Sequence, residues 1–87
     1  MNPLSQFEKL LQRVINNAKT VRFEELDKIL IKDGFTRRQS GKGTSHYVYT
    51  KGDKFITVPF HKPYVKRIYV ERAIALLNNN LEDNENE

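Results

Sequence analysis

Apolar residues recur at helical spacing in the first segment of the chain, residues 3–18. These positions, which fall on one face of a helix, are Leu4, Phe7, Leu10, Leu11, Val14, Ile15 and Ala18. Two starts fit this helix: Asn2 followed by Pro3, or Ser5 followed three residues later by Glu8, which is the pattern of a capping box. The sequence therefore predicts an N-terminal helix that ends within residues 16–19.

Two later segments show the same spacing. One covers about residues 23–32, and Asp33-Gly34 closes it because glycine readily adopts the left-handed conformation at a helix end. The other covers about residues 66–78. Their predicted apolar faces are Phe23, Leu26, Ile29 and Leu30 in the first, and Val70, Ala73, Ile74 and Leu77 in the second.

Between these two helices the pattern changes to that of short strands. Residues 35–39, 45–50 and 54–58 are separated by turn residues, and Pro59 stops the last strand. The middle strand is rich in tyrosine and valine, which favour strands. Because the connections are short, the three segments predict an antiparallel meander.

The predicted order is α-α-β-β-β-α, an α+β fold with helices on one face of a three-stranded antiparallel sheet. Without the first helix the order is that of double-stranded-RNA-binding domains, α-β-β-β-α, so we expect a similar fold with an extra N-terminal helix. The 87 residues fit a single domain over residues 1–81. Within it, residues 1–20 are the helical extension and 21–78 the core, and residues 82–87 are expected to form a mobile acidic tail.

Charge divides the chain unevenly. The formal net charge is +4, but residues 82–87 hold four acids and no base, so residues 1–81 carry +8. Residues 32–67, here called the basic segment, contain nine Lys and Arg against two Asp. Such a concentration favours a nucleic-acid partner over an acidic protein or a membrane surface. A merely solvated basic surface is the alternative.

Several classes of protein do not fit the sequence. The chain has no cysteine, no apolar run of the ~18–20 residues that span a membrane, and no signal-peptide pattern, so we expect a cytoplasmic protein without a membrane partner. Two histidines without cysteine do not make a structural zinc site. Asp53 is the only acid between Asp33 and Glu71, which disfavours a carboxylate-held metal, and we expect no cofactor.

His46 is the first candidate for chemistry. It follows the glycine-rich loop of residues 41–45 at the start of the middle strand. Imidazole transfers protons near physiological pH, and the loop glycines allow a phosphate to approach the main chain. Along this strand Tyr47 and Tyr49 face one side, while His46 and Val48 face the other. Which pair faces the core, and hence whether His46 only packs there, is left open.

Other residues surround this candidate site. Arg37 and Arg38 are neighbours in the first strand, so their side chains point to opposite faces. His61 and Lys62 follow the third strand. Lys66 stands at the start of the last helix, where free N–H groups attract phosphate. Ordinary surface charges and a surface loop histidine are the alternatives.

Three motifs resemble those of the HicA toxin family. Residues 42–47, Lys-Gly-Thr-Ser-His-Tyr, resemble its Gly-(Thr)-Ser-His-aromatic motif. Residues 56–63, Ile-Thr-Val-Pro-Phe-His-Lys-Pro, are similar to its second landmark at a strand end. The run 33–39, Asp-Gly-Phe-Thr-Arg-Arg-Gln, precedes both in the family's order. The resemblance covers about residues 21–78.

This resemblance implies a small toxin of a type II toxin–antitoxin module, with a fold like that of a double-stranded-RNA-binding domain. It implies an mRNA interferase, an endoribonuclease for which His46 is the residue needed for activity, blocked by a HicB antitoxin. We expect no metal requirement. The residues expected to bind RNA or shape the loop are Arg37, Arg38, Lys42, Gly43, Thr44, Ser45, His61, Lys62 and Lys66. The rival hypotheses are a non-catalytic RNA- or DNA-binding domain and a protein that docks an acidic partner.

Overall fold

The computed structural model describes residues 5–39 and 45–77 of the chain. The Asn2 start, the loop residues 41–44 and the acidic tail of the sequence prediction therefore lie outside the described residues. Residues 5–39 and 45–77 form three α-helices and a three-stranded antiparallel sheet, which confirms the predicted α+β class and element order. The elements are α1 (Gln6–Asn16), a 3₁₀ turn (Ala18–Thr20), α2 (Phe23–Asp33), β1 (Thr36–Gln39), β2 (His46–Lys51), β3 (Lys54–Pro59) and α3 (Arg67–Leu76).

Helix α1 begins at the capping box that the sequence predicts. The Ser5 hydroxyl accepts a hydrogen bond from the Glu8 N–H at 3.1 Å, and the Glu8 carboxylate accepts one from the Ser5 N–H at 3.0 Å. The helix ends at Asn16, within the predicted range, and the chain continues into the 3₁₀ turn. Leu11 and Val14 are buried in the core, so the N-terminal extension packs with the rest of the domain.

Helix α2 closes at Gly34 as predicted. Gly34 has a φ of +112°, and its N–H donates to the Ile31 carbonyl at 3.0 Å, while the Phe35 N–H donates to the Leu30 carbonyl at 3.0 Å. A side chain at Gly34 would be strained by this backbone conformation. The sharp closure turns the chain directly from α2 into β1.

The sheet has the order β1-β2-β3, with helices on one face. Tyr49 is paired with Arg37 of β1 and Ile56 of β3, and it is buried under the helices, which settles the face that the sequence left open. On the other face Phe55 is 68% exposed. Strand β3 includes Pro59, whereas the sequence predicts an end at Val58; an edge strand tolerates the missing N–H at its end.

A single hydrophobic core joins all three helices to the inner face of the sheet. Helix α3 ends at Leu76, two residues earlier than predicted, where the Lys54 ammonium donates to the Leu76 carbonyl at 3.0 Å. The loop before α3 is held by a hydrogen bond from the Val65 N–H to the Val21 carbonyl at 2.8 Å. The largest fully buried side chains are Tyr49, Leu11, Leu26, Ile29, Leu30, Val14, Val21, Val58, Val65 and Val70.

Candidate functional site

His46 is the first residue of β2 and its side chain is exposed. Strand pairing places it opposite Pro59, and the Phe60 N–H donates to the carbonyl of the preceding Ser45 at 2.7 Å. Since Tyr47 and Tyr49 face the helices, the pleat directs His46 to the open face of the sheet. An imidazole in this place is accessible to a large substrate, which a core histidine would not be.

The loop that precedes His46 is described only at Ser45. Lys42, Gly43 and Thr44 lie outside the described residues, so their expected contacts with phosphate stay predictions. Ser45 is exposed at the same end of the sheet. Its carbonyl accepts a hydrogen bond from the Phe60 N–H at 2.7 Å, which ties the end of the loop to β3.

The two arginines of β1 are placed differently. Arg37 pairs with Tyr49 in the sheet and donates to Oδ1 of Asp27 at 3.0 Å, and the Tyr49 hydroxyl donates to the same oxygen at 2.6 Å. Arg38 pairs with Val48 and is exposed. It therefore shares the open face with His46, diagonally across the β1–β2 pair, a separation that long side chains span.

Electrostatics agree with this division. Burial, together with the bond to the Asp27 carboxylate, raises the pKa of Tyr49, so its hydroxyl stays a proton donor. Asp27 also raises the pKa of Arg37, first through its charge and then through the hydrogen bond. Asp27, Tyr49 and Arg37 form one closed group, here called the Asp27 clamp, which joins α2 to the two strands beside the loop.

His61 and Lys62 follow β3 at the end of the sheet that carries His46. The His61 ring nitrogen Nδ1 lies 2.7 Å from the Tyr64 carbonyl. Because a carbonyl only accepts, Nδ1 carries the proton in this contact, and Nε2 of the neutral ring is an acceptor. The Lys62 ammonium lies 5.7 Å from the centre of the Phe60 ring. Both residues are exposed.

Lys66 is the N-cap residue of α3 and is exposed. Its carbonyl accepts the Tyr69 N–H at 3.0 Å, and its side chain makes no cap hydrogen bond. The next residue, Arg67, donates to Glu71 at 2.7 Å across one turn. At the start of α3, Lys66 is thus better placed than Arg67 to contact a phosphate.

The basic segment splits into structural and available charges. Four of its nine basic side chains are engaged within the protein: Arg37 with Asp27, Arg67 with Glu71, Lys51 with the Asp33 carbonyl and carboxylate, and Lys54 with the Leu76 carbonyl. Lys42 is outside the described residues. The exposed remainder consists of Lys32, Arg38, Lys62 and Lys66, and three of these four lie in or beside the elements that meet at the His46 end of the sheet.

The Asp27 clamp and the aromatic contacts near His61 are not predictable from the sequence. From the sequence, Asp27 would be taken for a surface acid of α2. No local pattern indicates that Arg37 of β1 and Tyr49 of β2 lie next to it. Phe23 packs against Tyr47 at 5.0 Å and against Phe60 at 5.1 Å between ring centres. The alternation along β2 indicates only that Tyr47 and Tyr49 share a face; it does not indicate which aromatic residues contact that face.

Metal-binding and membrane-spanning features are not evident in residues 5–39 and 45–77. This part of the chain contains no group of three or more His, Cys, Asp or Glu side chains that could hold a metal ion. None of its helices is both long and apolar enough to cross a membrane.

Comparison with known proteins gives one finding. The model of a family described as "HicA toxin of bacterial toxin-antitoxin" matches residues 23–78, from the start of α2 to just past α3. The match includes every candidate site residue and leaves α1 outside it. No significant match was found among curated proteins or among solved structures.

Proposed function

The chain belongs to the HicA toxin family of bacterial toxin–antitoxin systems, and on this premise we propose that it is an endoribonuclease toxin that cleaves messenger RNA without a metal ion. His46 is the catalytic residue of this proposal. The observation that carries it is the position of His46: exposed, at the end of the sheet, with its strand paired to the segment that continues into His61 and Lys62.

The reaction needs one group to take a proton and one to give a proton. A base removes the proton of a ribose 2′-hydroxyl, and that oxygen attacks the adjacent phosphorus. The bond from phosphorus to the 5′-oxygen breaks, and an acid protonates the departing oxygen. The products are a 2′,3′-cyclic phosphate and a 5′-hydroxyl end. His46 supplies one of these roles, because an imidazole both accepts and donates protons near neutral pH.

Exposed cations around His46 supply the charge that the phosphate needs. Arg38 lies on its face of the sheet, and Lys62 and Lys66 belong to the loop that leaves the same end. Cations near a phosphate stabilise the charge that develops on its oxygens during the reaction. In this proposal Lys42, Gly43, Thr44 and Ser45 contact the scissile phosphate from the loop, and His61 is the candidate for the second proton-transfer group.

The partner of the toxin is a HicB-like antitoxin in this proposal. Membership of a family of toxin–antitoxin toxins implies that an antitoxin partner exists. The positive charge of the basic segment favours a partner that brings carboxylates to the His46 end of the sheet. Bound there, the antitoxin would compete with RNA for the same cations.

End-group analysis tests the proposed chemistry. The purified chain is incubated with a long single-stranded RNA in the presence and absence of a chelator, and the product ends are identified by mass spectrometry. We expect cleavage in both samples, with cyclic phosphate and 5′-hydroxyl ends. Cleavage that stops with the chelator, or 5′-phosphate ends, would contradict the metal-independent scheme. RNA binding without cleavage would favour the non-catalytic alternative.

A further inference from the structure

A cleft of about 260 Å³ opens beside the end of β3, between the segment that follows this strand and the start of α2. Its apolar lining consists of Phe23, Phe60 and Pro63, and its polar lining of Arg22, Glu24, His61 and Lys62. This volume lies below the ~300–1,000 Å³ of pockets that hold drug-sized ligands. It suits a single planar ring better than a longer ligand.

The aromatic part of the cleft is the Phe60 ring, which contacts both Phe23 and Lys62. The Phe60 ring meets Phe23 edge to face, with 5.1 Å between ring centres and 71° between planes. Phe23 is buried and Phe60 is half-buried, so the contact holds the Phe60 ring in place. The Lys62 ammonium lies over the Phe60 ring, 5.7 Å from its centre. A nucleobase that stacks on this ring takes the place of the Lys62 ammonium, which can then meet the phosphate of the same nucleotide.

The polar part of the cleft distinguishes a base from a bare phosphate. Arg22 and Lys62 donate, but Glu24 brings a carboxylate that repels an anion. The same carboxylate is an acceptor for hydrogen bonds from the edge of a base. The edge of a nucleobase carries both donors and acceptors, so this mixed set is complementary to a base with its attached phosphate.

The cleft lies next to the catalytic candidate along the strand pair. The Phe60 N–H donates to the carbonyl of Ser45, the residue before His46, at 2.7 Å. His46 points to the open face and Phe60 to the helix side. An RNA strand that crosses this end of the sheet therefore passes both groups.

We infer that this cleft binds one unpaired base of the RNA strand whose backbone is cleaved at His46. The inference rests on the proposed function and adds a preference for single-stranded RNA, because a base within a duplex is stacked and paired and cannot enter a cleft. The order of elements resembles that of a duplex-binding domain, but the cleft selects an unpaired strand.

The test measures binding by the His46→Ala chain, which leaves the RNA intact. A labelled single-stranded oligoribonucleotide is compared with copies in which one base at a time is removed to leave an abasic ribose, by fluorescence anisotropy. We expect one position at which the loss of the base weakens binding about five- to 150-fold, the effect of one lost aromatic stack. Annealing the oligonucleotide to its complement should weaken binding similarly.

A second substitution places the effect in the cleft. With Phe60→Leu added, the sensitive position should lose its penalty, and with Lys62→Ala added, affinity should fall for every oligonucleotide. Lys28→Ala, at an exposed lysine of α2 that does not line the cleft, is the matched control and should change neither. Urea unfolding of each variant checks that the Phe60 substitution leaves the fold intact.

The outcomes separate this inference from the proposed function. Tight RNA binding with no sensitive position, a penalty that survives Phe60→Leu, or equal binding of duplex would overturn the base-binding cleft and leave cleavage at His46 standing. Failure of the unmutated chain to cleave, together with failure of the His46→Ala chain to bind any RNA, would overturn both.

Discussion

The Tyr49 hydroxyl donates a hydrogen bond to Oδ1 of Asp27 at 2.6 Å, from the middle strand of the sheet to the helix above it. Arg37 donates to the same oxygen at 3.0 Å. These contacts anchor α2 to the two strands that enclose the loop before His46. The stability of the site region thus depends on a polar group that lies outside the site itself.

Replacing Tyr49 with Phe tests the weight of the Asp27 clamp. The substitution removes one partly buried hydrogen bond and keeps the ring, so we expect a loss of about 1 kcal/mol in the free energy of unfolding. Urea unfolding measures it. The control is Tyr69→Phe, since the Tyr69 hydroxyl has no hydrogen-bond partner among residues 5–39 and 45–77. Equal stability of the two variants would show that the Tyr49–Asp27 hydrogen bond contributes nothing.

The ionisation of Glu25 makes the free energy of unfolding depend on pH. Burial opposes its ionisation, but hydrogen bonds from the Arg22 N–H and the Arg13 guanidinium outweigh that and hold the pKa of Glu25 below its ordinary value of 4.5. A depressed pKa stabilises the folded state fully above about pH 4.5, and this contribution is lost as pH falls through the folded value.

The variant Glu25→Gln tests the direction of this pH dependence. At neutral pH we expect it to be less stable by about 1 kcal/mol, because a partly exposed ion pair and a helix cap are weakened together. The difference should shrink as pH falls below 4.5. Urea unfolding at several pH values gives both numbers. A difference that grows in acid would contradict the account.

Helix α1 lies outside the family match but inside the core. Leu11 is 1% exposed, so Leu11→Ala should lower the free energy of unfolding by roughly 2–5 kcal/mol, as for other large-to-small core substitutions. Gln12→Ala, on the exposed side of the same helix, should change it by less than about 0.5 kcal/mol. Thermal unfolding of both variants decides the point. Similar midpoints would mean that α1 is dispensable to the fold.

Arg37 and Arg38 form a matched pair for testing the proposed RNA-binding surface. Arg38→Ala should weaken RNA binding and reduce its salt dependence, with a logarithmic slope smaller by about 0.7 for each lost phosphate contact, and leave stability unchanged. Arg37→Ala should instead lower stability, because the Asp27 clamp loses its cation. Anisotropy titrations at several salt concentrations, with urea unfolding, measure both. The reverse pattern would place the substrate on the helix side of the sheet.

The elements of this fold were largely predictable, because local signals define them. Gly34 ends α2, the Ser5–Glu8 pair starts α1, and alternation marks the strands. The roles of the charged residues were not predictable. In the sequence the nine basic residues of the basic segment cannot be told apart. In the structure, Lys51 and Lys54 donate hydrogen bonds to carbonyls at helix ends, which lie close to them only in the folded chain.

The same limit applied to the site. His46 was visible because a motif surrounds it in the sequence. The cleft beside it was not, because Phe23 and Phe60 are 37 positions apart and meet only when β3 returns past the start of α2. Contacts between distant segments determine which face of a strand lies in the core, and no local sequence pattern predicts those contacts.

The most direct test of the account compares the cleavage rates of the unmutated chain, His46→Ala and the control Lys28→Ala on the same single-stranded RNA. Because His46 is exposed, its replacement should leave the unfolding midpoint and RNA affinity nearly unchanged, while cleavage falls by about 10²–10⁴-fold, the usual contribution of a proton-transfer group. Lys28→Ala should cleave normally. Full activity of a folded His46→Ala chain would contradict the central claim.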